Sequence, residues 1–555
     1  MDEAIISFNK LLEESIKKNW DLDALTDYKG TTLQYKDVAR KIEKIHIILE
    51  ESGVQKGDKV AICGRNSSHW GVAFLSVLTY GAVAVPILHE FKADNIHSIV
   101  NHSEAKMLFV GDVVWENLNE AVMPMLEGIV LINDFSILVS RNKRLDYARE
   151  HLNELFGKKY PKNFRIEHIS YYKDSPEELA LINYTSGTTS YSKGVMLPFR
   201  AIWSNVQFAL DHLPLSSGNV VVSMLPMAHM YGMAFEFLYE VCNGCHIYFL
   251  TRMPTPKIVF QAFAEIKPHF IVAVPLIIEK IIKKSILPHL QTPQMKILLK
   301  VPIINDKIKT AVREKIVNAF GGRFCELILG GAPFNREVES FLHSIHFPYT
   351  VGYGMTECAP LISYAPWDTF AKYSCGRCID RMELKILSPD PYNTVGEVVC
   401  RGANVMLGYY KREDATKEVL DENGWLHTGD LGLIDTDGNL YLKGRSKTML
   451  LSSNGQNIYP EEIEDRLNTL PYISESVIVQ QNSKLVALIY PDFEDAFAHG
   501  LDNAGIEKIM EENRIQLNEA LPNYSQINKI KVYPEEFEKT PKRSIKRFLY
   551  QEAKG

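Results

Sequence analysis

Short apolar runs alternate with amphipathic stretches over much of the chain. Ile5, Phe8, Leu11, Leu12 and Ile16 recur at helical spacing and predict a helix up to about Trp20. Residues 24–35 turn at Lys29–Gly30, as a hairpin would. A helix from about Tyr35 to Ser52 ends at Gly53 and leads into a buried strand at 59–63. A helix through Leu78 and a strand at 81–86 follow, then a helix near 95–101 and a strand at 107–110. Strand, helix, strand at this pace is βαβ rhythm and implies a mainly parallel sheet. From Asn142 to Lys173 the pattern becomes charged and weakly periodic, which reads as a surface excursion.

Further strands are predicted at 179–182, 220–225, 246–250, 270–274 and 326–329, with Pro275 ending the fourth. The segment from Tyr231 to Val241 is apolar on most sides and reads as a buried helix. From Glu383 the pattern changes to short strands, with a hairpin turn at Asp437–Gly438. That turn is not a calcium loop, because its glycine arrives two positions too early. After Arg445 the composition changes again, towards a small α+β domain. The reading is an α/β fold of two domains, 1–444 and 445–555, without internal repeats. The larger carries βαβ-type subdomains and a small β-barrel-like one.

Composition narrows the function classes. A chain of 555 residues exceeds one core. A net charge of -7 argues against general nucleic-acid affinity. Met1–Asp2–Glu3–Ala4 lacks the basic and apolar regions of a signal peptide, and the longest apolar runs are too short to span a bilayer. A cytoplasmic protein is expected, with peripheral membrane contact and a homodimer left open. Cys242/Cys245 and Cys375/Cys378 form two C-x-x-C pairs far apart in sequence, which favours reduced thiols over a zinc site.

Candidate chemistry centres on Asn183–Met196. Thr185, Ser186, Thr188, Thr189 and Ser190 place five hydroxyls around Gly187, and Lys193 and Gly194 follow. Glycine lets backbone N–H groups cradle an anion, hydroxyls add donors, and a lysine adds a point charge for phosphate. A Walker A loop fails here, because Ser192 precedes Lys193 and Gly194 follows it, where a hydroxyl should hold magnesium. Downstream come Gly330–Gly331–Ala332–Pro333, then Tyr353–Gly354–Met355–Thr356–Glu357, then Trp425–Leu426–His427–Thr428–Gly429–Asp430 with Gly444–Arg445. Glu357 occupies the third glycine position of a dinucleotide fingerprint and excludes it.

These four motifs in this order resemble the adenylate-forming (acyl/aryl-CoA ligase, AMP-binding) superfamily, and within it most resemble bacterial acyl-CoA synthetases acting on fatty acids. The resemblance covers nearly the whole chain. It implies that a fatty acid carboxylate attacks the α-phosphate of ATP, giving acyl-AMP and pyrophosphate, and that CoA then displaces AMP. By motif, Thr185, Ser186, Gly187, Thr188 and Thr189 would hold the β- and γ-phosphates, with Lys193 steadying the loop. Glu357, with Thr188, would approach Mg²⁺, and Thr356 the α-phosphate. Gly331, Ala332, Pro333, Tyr353 and Gly354 would frame adenine. Asp430 and Arg445 would bind the ribose. His229 resembles the family's histidine near the acyl carboxylate. Lys447 matches a hinge, about which the C-terminal domain rotates between half-reactions, and Gly455 a loop turned towards CoA.

The chain departs from this pattern twice. Ser190 and Ser192 stand where the phosphate loop usually has glycine and proline. In Lys539–Thr540–Pro541–Lys542–Arg543–Ser544–Ile545–Lys546, Ser544 falls on the usual catalytic lysine. Lys542, Ser544 and Lys546 alternate as on one face of a strand, so Lys542 or Lys546 is a candidate surrogate. Two rival readings follow: an acyl-AMP ligase serving a carrier protein, and a catalytically weak acyl-nucleotide binder.

Overall fold

The computed structural model describes residues 6–185, 193–252, 254–285, 302–451, 456–481, 484–539 and 545–550. Its largest sheet has eight strands. Five run parallel in the order Leu179–Thr185, Val83–Ile87, Lys59–Cys63, Met107–Val110, Gly128–Leu131. Their near-continuous apolar runs suit strands covered on both faces. Antiparallel strands finish both sides: Ile137–Ser140 at one, Lys193–Pro198 and then Gly408–Tyr409 at the other.

A second sheet orders Val220–Ser223, His246–Phe249, Asp23–Asp27 and Thr32–Gln34. The expected hairpin is present, and its first strand also lies parallel to His246–Phe249. A third, all-parallel sheet contains Ile271–Ala273, Leu327–Leu329 and Tyr349–Val351. The chain leaves the carboxyl ends of the last two through Gly330–Gly331 and Gly352–Tyr353. Open parallel sheets present ligand sites at that end. Pro275 does stop the first of these strands, and it also opens the helix Pro275–Ser285, where a missing N–H costs nothing.

The expected surface excursion carries a helix, Lys143–Lys159, bent at His151. It buries only Leu145 and Ala148. Much of its docking is polar: Arg144 Nε lies 3.0 Å from Glu51, and Lys159 and the Tyr160 hydroxyl both reach Glu43, at 3.1 and 2.5 Å. Leu152 and Phe156 continue the apolar stripe and pack partly buried against the core; the charged residues around it mask the period.

The short strands expected from Glu383 form an antiparallel sheet of Met382–Leu387, Gly396–Gly402, Leu426–Ile434 and Leu440–Arg445. Beyond residue 450 the core is separate. Ile463, Leu467, Ile478, Ile489 and Met510 cluster between the sheet Ile473–Gln481, Lys484–Pro491, Ile527–Val532 and the helices Pro460–Leu467 and Asn503–Glu519. This smaller α+β part meets the larger one through polar pairs. Lys443 Nζ donates to Glu462 at 2.9 Å, Arg336 lies 3.9 Å from Glu462, and Lys283 donates to the Asn468 carbonyl at 3.0 Å.

Candidate active site

Residues 224–229 are pinned by buried side chains from two distant segments and from the helical stretch that follows. Asn66 donates to the Leu225 carbonyl at 2.6 Å and accepts from the Met227 N–H at 2.9 Å. Asn183 donates to the Ala228 carbonyl at 2.9 Å. Glu236 accepts from the N–H groups of Met224 and Leu225 at 2.9 and 2.7 Å. Burial pushes the Glu236 carboxyl well above the usual range. The segment ends in His229, whose Nδ1 accepts from the Tyr231 N–H at 3.3 Å and caps the helical stretch Met230–Cys242. Tyr231 reaches across to the Ile328 carbonyl at 3.2 Å, beside Gly330.

Gly331 follows with φ +82°, a left-handed conformation that suits glycine. Gly331, Ala332 and Pro333 are exposed. Gly354 is required for a different reason: a Cβ there would lie 2.1 Å from the Pro360 carbonyl oxygen. Between these turns, buried Tyr353 donates from its hydroxyl to Asp430 Oδ2 at 2.6 Å. Arg445, directly across the antiparallel pair from Asp430, places Nε 3.0 Å from Oδ1. The Asp430 N–H donates to Thr428 Oγ1 at 3.1 Å. Burial and the Asp430 charge push the Tyr353 phenol up, so it remains a donor; the same charge raises Arg445.

These pieces surround a mainly apolar cavity. His229, Tyr231, Gly331, Tyr353, Gly354 and Thr356 are among its lining residues. So are Phe208, Leu213, Phe235, Leu361 and Tyr364. The Tyr364 ring is fixed by a 2.8 Å hydrogen bond from its hydroxyl to Glu326, whose buried carboxyl is pushed up to about 7. Of the apolar residues 230–239, Tyr231 and Phe235 line this cavity, whereas Met233 and Phe237 are core.

The family model for AMP-binding enzymes matches residues 12–410. The chain belongs to this family.

The long-chain-fatty-acid–CoA ligase ACSBG2 of Rattus norvegicus is similar to this AMP-binding enzyme. It is 28% identical over 520 residues, covering 88% of this chain and 77% of that protein. Among solved structures, the anthranilate CoA ligase AuaEII in complex with anthranoyl-AMP superposes with a TM-score of 0.78 at 18% identity, covering 98% and 96% of the two chains. The o-succinylbenzoate coenzyme A synthetase MenE of Bacillus subtilis, in complex with ATP and magnesium ion, gives 0.73 at 19% identity, covering 97% and 98%.

In this AMP-binding enzyme, some expected site residues lie apart from the cavity. Lys193 begins its strand with Nζ 4.6 Å over the Tyr409 ring, and Glu357 Oε1 accepts from the Tyr409 hydroxyl at 2.8 Å. Lys546 lies in the small part, its ammonium 2.8 Å from Glu538. Lys447 sits in a turn after Leu440–Arg445. Ser186, Gly187, Thr188, Thr189, Gly455, Lys542 and Ser544 lie outside the described residues. Asn66, Glu236 and Tyr409 lie outside the motifs, and Asn183, which opens the hydroxyl-rich stretch, had no role assigned. Glu236 had a signal: a carboxylate inside an otherwise apolar helix needs a partner.

Proposed function

We propose that this AMP-binding enzyme is a fatty acid–CoA ligase that forms acyl-AMP from ATP and then acyl-CoA. One observation carries the reading: His229, Thr356 and Tyr353 line the same apolar cavity as Phe208, Leu213 and Phe235, and Tyr353 is hydrogen-bonded to Asp430, which pairs with Arg445. An apolar acid and a nucleotide would therefore meet at this cavity. The name of the ACSBG2 relative supports a long-chain acid.

In this reading the acyl chain occupies the pocket floored by Phe208 and Tyr364, and His229 orients the carboxylate. Tyr353 stacks on adenine, framed by Gly331, Ala332, Pro333 and Gly354, and Asp430 accepts from the ribose hydroxyls with Arg445 beside it. Thr356 meets the α-phosphate. Thr185 to Thr189, with Lys193, hold the outer phosphates. Catalysis is then mostly positioning and electrostatic stabilisation.

The residues present fit Mg²⁺. Tyr409 occupies Glu357 Oε1, which leaves Oε2 available among the described residues. No group of three His, Cys, Asp or Glu side chains that could hold a metal occurs among them. A single carboxylate completed by phosphate and water oxygens suits Mg²⁺. When bound, the ion would neutralise phosphate charge.

The proposal includes a domain boundary at 444/445, a hinge at Lys447, a CoA-facing loop at Gly455, and Lys546 or Lys542 as surrogate lysine. It extends to cytoplasmic action. Among the described residues no helix is long and apolar enough to cross a membrane. Peripheral membrane contact and a homodimer are tested by vesicle flotation and sedimentation.

A paired assay with ATP, Mg²⁺ and a panel of carboxylic acids tests the activity. Pyrophosphate and acyl-CoA together with a fatty acid are expected. Neither product from any acid, and no conversion of supplied acyl-AMP, would overturn it. Lys447→Pro is expected to spare pyrophosphate release and slow thioester formation; equal loss in both would remove the hinge.

A further inference from the structure

The short strand Gly408–Tyr409 looks incidental in sequence, yet it is the edge of the largest sheet. It pairs antiparallel with Lys193–Pro198, Tyr409 opposite Val195 and Gly408 opposite Met196. The Tyr410 N–H donates to the Gly194 carbonyl at 2.8 Å, and the Leu407 N–H to the Met196 carbonyl at 2.9 Å. Tyr409 is thus fixed against the strand that begins at Lys193. Residues 193 and 195 share a strand face, so Lys193 is the diagonal neighbour of Tyr409. Its ammonium lies 4.6 Å from the ring centroid.

The other end of the same side chain engages a different element. The Tyr409 hydroxyl donates to Glu357 Oε1 at 2.8 Å. The backbone repeats the link, since the Met406 N–H donates to the Glu357 carbonyl at 2.9 Å. Tyr409 itself is anchored from behind, its N–H donating to Thr416 Oγ1 at 2.9 Å. The glycine before it lies at φ +140°, and a Cβ there would meet the Thr416 side chain at 2.8 Å. The buried ring therefore stands between the lysine that follows the hydroxyl-rich loop and the carboxylate of the Tyr353–Glu357 motif.

We propose that Tyr409 is a positioning residue that sets the metal-facing carboxylate and the phosphate-loop lysine at a fixed separation, so that MgATP is bound as one unit. The inference rests on the reading of Glu357 as the magnesium carboxylate. By holding Oε1, Tyr409 presents Oε2 outward. By its ring face it holds the Lys193 ammonium where a phosphate would arrive. Hydroxyl and ring thus act separately, the first on the metal and the second on the phosphate.

The test is ATP binding by the full chain without any carboxylic acid, measured by calorimetry with EDTA and over a Mg²⁺ titration. Tyr409→Phe keeps the ring and removes the hydroxyl. It is expected to raise the Mg²⁺ concentration for half-maximal enhancement of ATP binding by about tenfold, the scale of one hydrogen bond to a charged group. Its ATP affinity in EDTA should match wild type. Tyr409→Leu should also weaken binding in EDTA by about threefold, through loss of the cation–π contact. In a Glu357→Gln background, Tyr409→Phe should shift the Mg²⁺ midpoint no further.

A Tyr409→Phe midpoint equal to wild type, with Glu357→Gln still raising it, would overturn the role of Tyr409 and leave the Glu357 reading intact. An unmoved midpoint in Glu357→Gln would remove that reading and this inference together. Equal shifts by Tyr409→Phe in both backgrounds would mean that Tyr409 acts through the fold alone. If the Phe variant melts early on its own, Tyr409→Leu in the Glu357→Gln background decides: loss of ATP affinity in EDTA supports the ring contact, and no loss overturns it.

Discussion

Around Asp430, a phenol and a guanidinium converge on one buried carboxylate; around Lys546, one exposed carboxylate holds one ammonium. Tyr353 and Arg445 occupy different oxygens of Asp430, at 2.6 and 3.0 Å. Lys546 meets Glu538 at 2.8 Å, and its own N–H donates to the Glu538 carbonyl. The first arrangement is costly to break, because removing one partner strands a buried charge. The second is a surface pair, exposed to water and weak. In the proposed reading, the ribose side is prebuilt around Asp430, while Lys546 is held by a contact that is cheaply released. This contrast would suit a reaction whose ribose contact persists while its lysine is needed in one step.

The largest expected effect is Asp430→Ala, which should lower kcat/KM for ATP by ~10²–10³-fold, the scale of losing charged hydrogen bonds to a bound ligand. A loss under fivefold would show that the prebuilt network does not serve the nucleotide. Next, Lys546→Ala should slow pyrophosphate release by about 10²-fold while supplied acyl-AMP still reacts with CoA. Unchanged adenylation would transfer the surrogate role to Lys542.

Glu240 sharpens the comparison among buried carboxyls. Both of its oxygens lack hydrogen-bond partners, and burial raises it from 4.5 to about 8. Its folded pKa exceeds its unfolded one, so its contribution is fully present below the unfolded value and is lost as pH rises to about 8. Glu240→Gln should thus gain on wild type by about 1.4 kcal/mol per pH unit between pH 5 and 8, then level off. Denaturant titrations across that range check it; parallel curves would count against it. The smallest effect is Glu538→Gln, expected to leave stability nearly unchanged and to raise the adenylation rate less than fivefold, by freeing Lys546. A slower rate would mean that Glu538 guides the lysine rather than restrains it.

The sequence was most legible where a local pattern has one cause. Strands such as Lys59–Cys63 read clearly because both faces are buried, and Gly331 and Gly354 because their backbones exclude other residues. Asn66, Asn183 and Glu236 were not legible as a group. Asn66 and Asn183 reach residues 224–229 from distant segments, and only tertiary packing brings them beside the nearby Glu236. The helix Lys143–Lys159 was hard to read because charged residues crowd the short apolar stripe of Leu145, Ala148, Leu152 and Phe156. The Lys193–Tyr409–Glu357 contact needed the sheet register, since Tyr409 stands more than two hundred positions from its lysine.

The pairing of Gly396–Gly402 bears on how the polypeptide can be cut. A fragment ended after residue 410 would keep the edge strand Gly408–Tyr409 but lose Leu426–Ile434, and with it one neighbour of Gly396–Gly402. The bared row of N–H and C=O groups would invite aggregation. Limited proteolysis should accordingly leave a soluble piece ending beyond Arg445, where the last strand of that sheet is complete, and not one ending at residue 410.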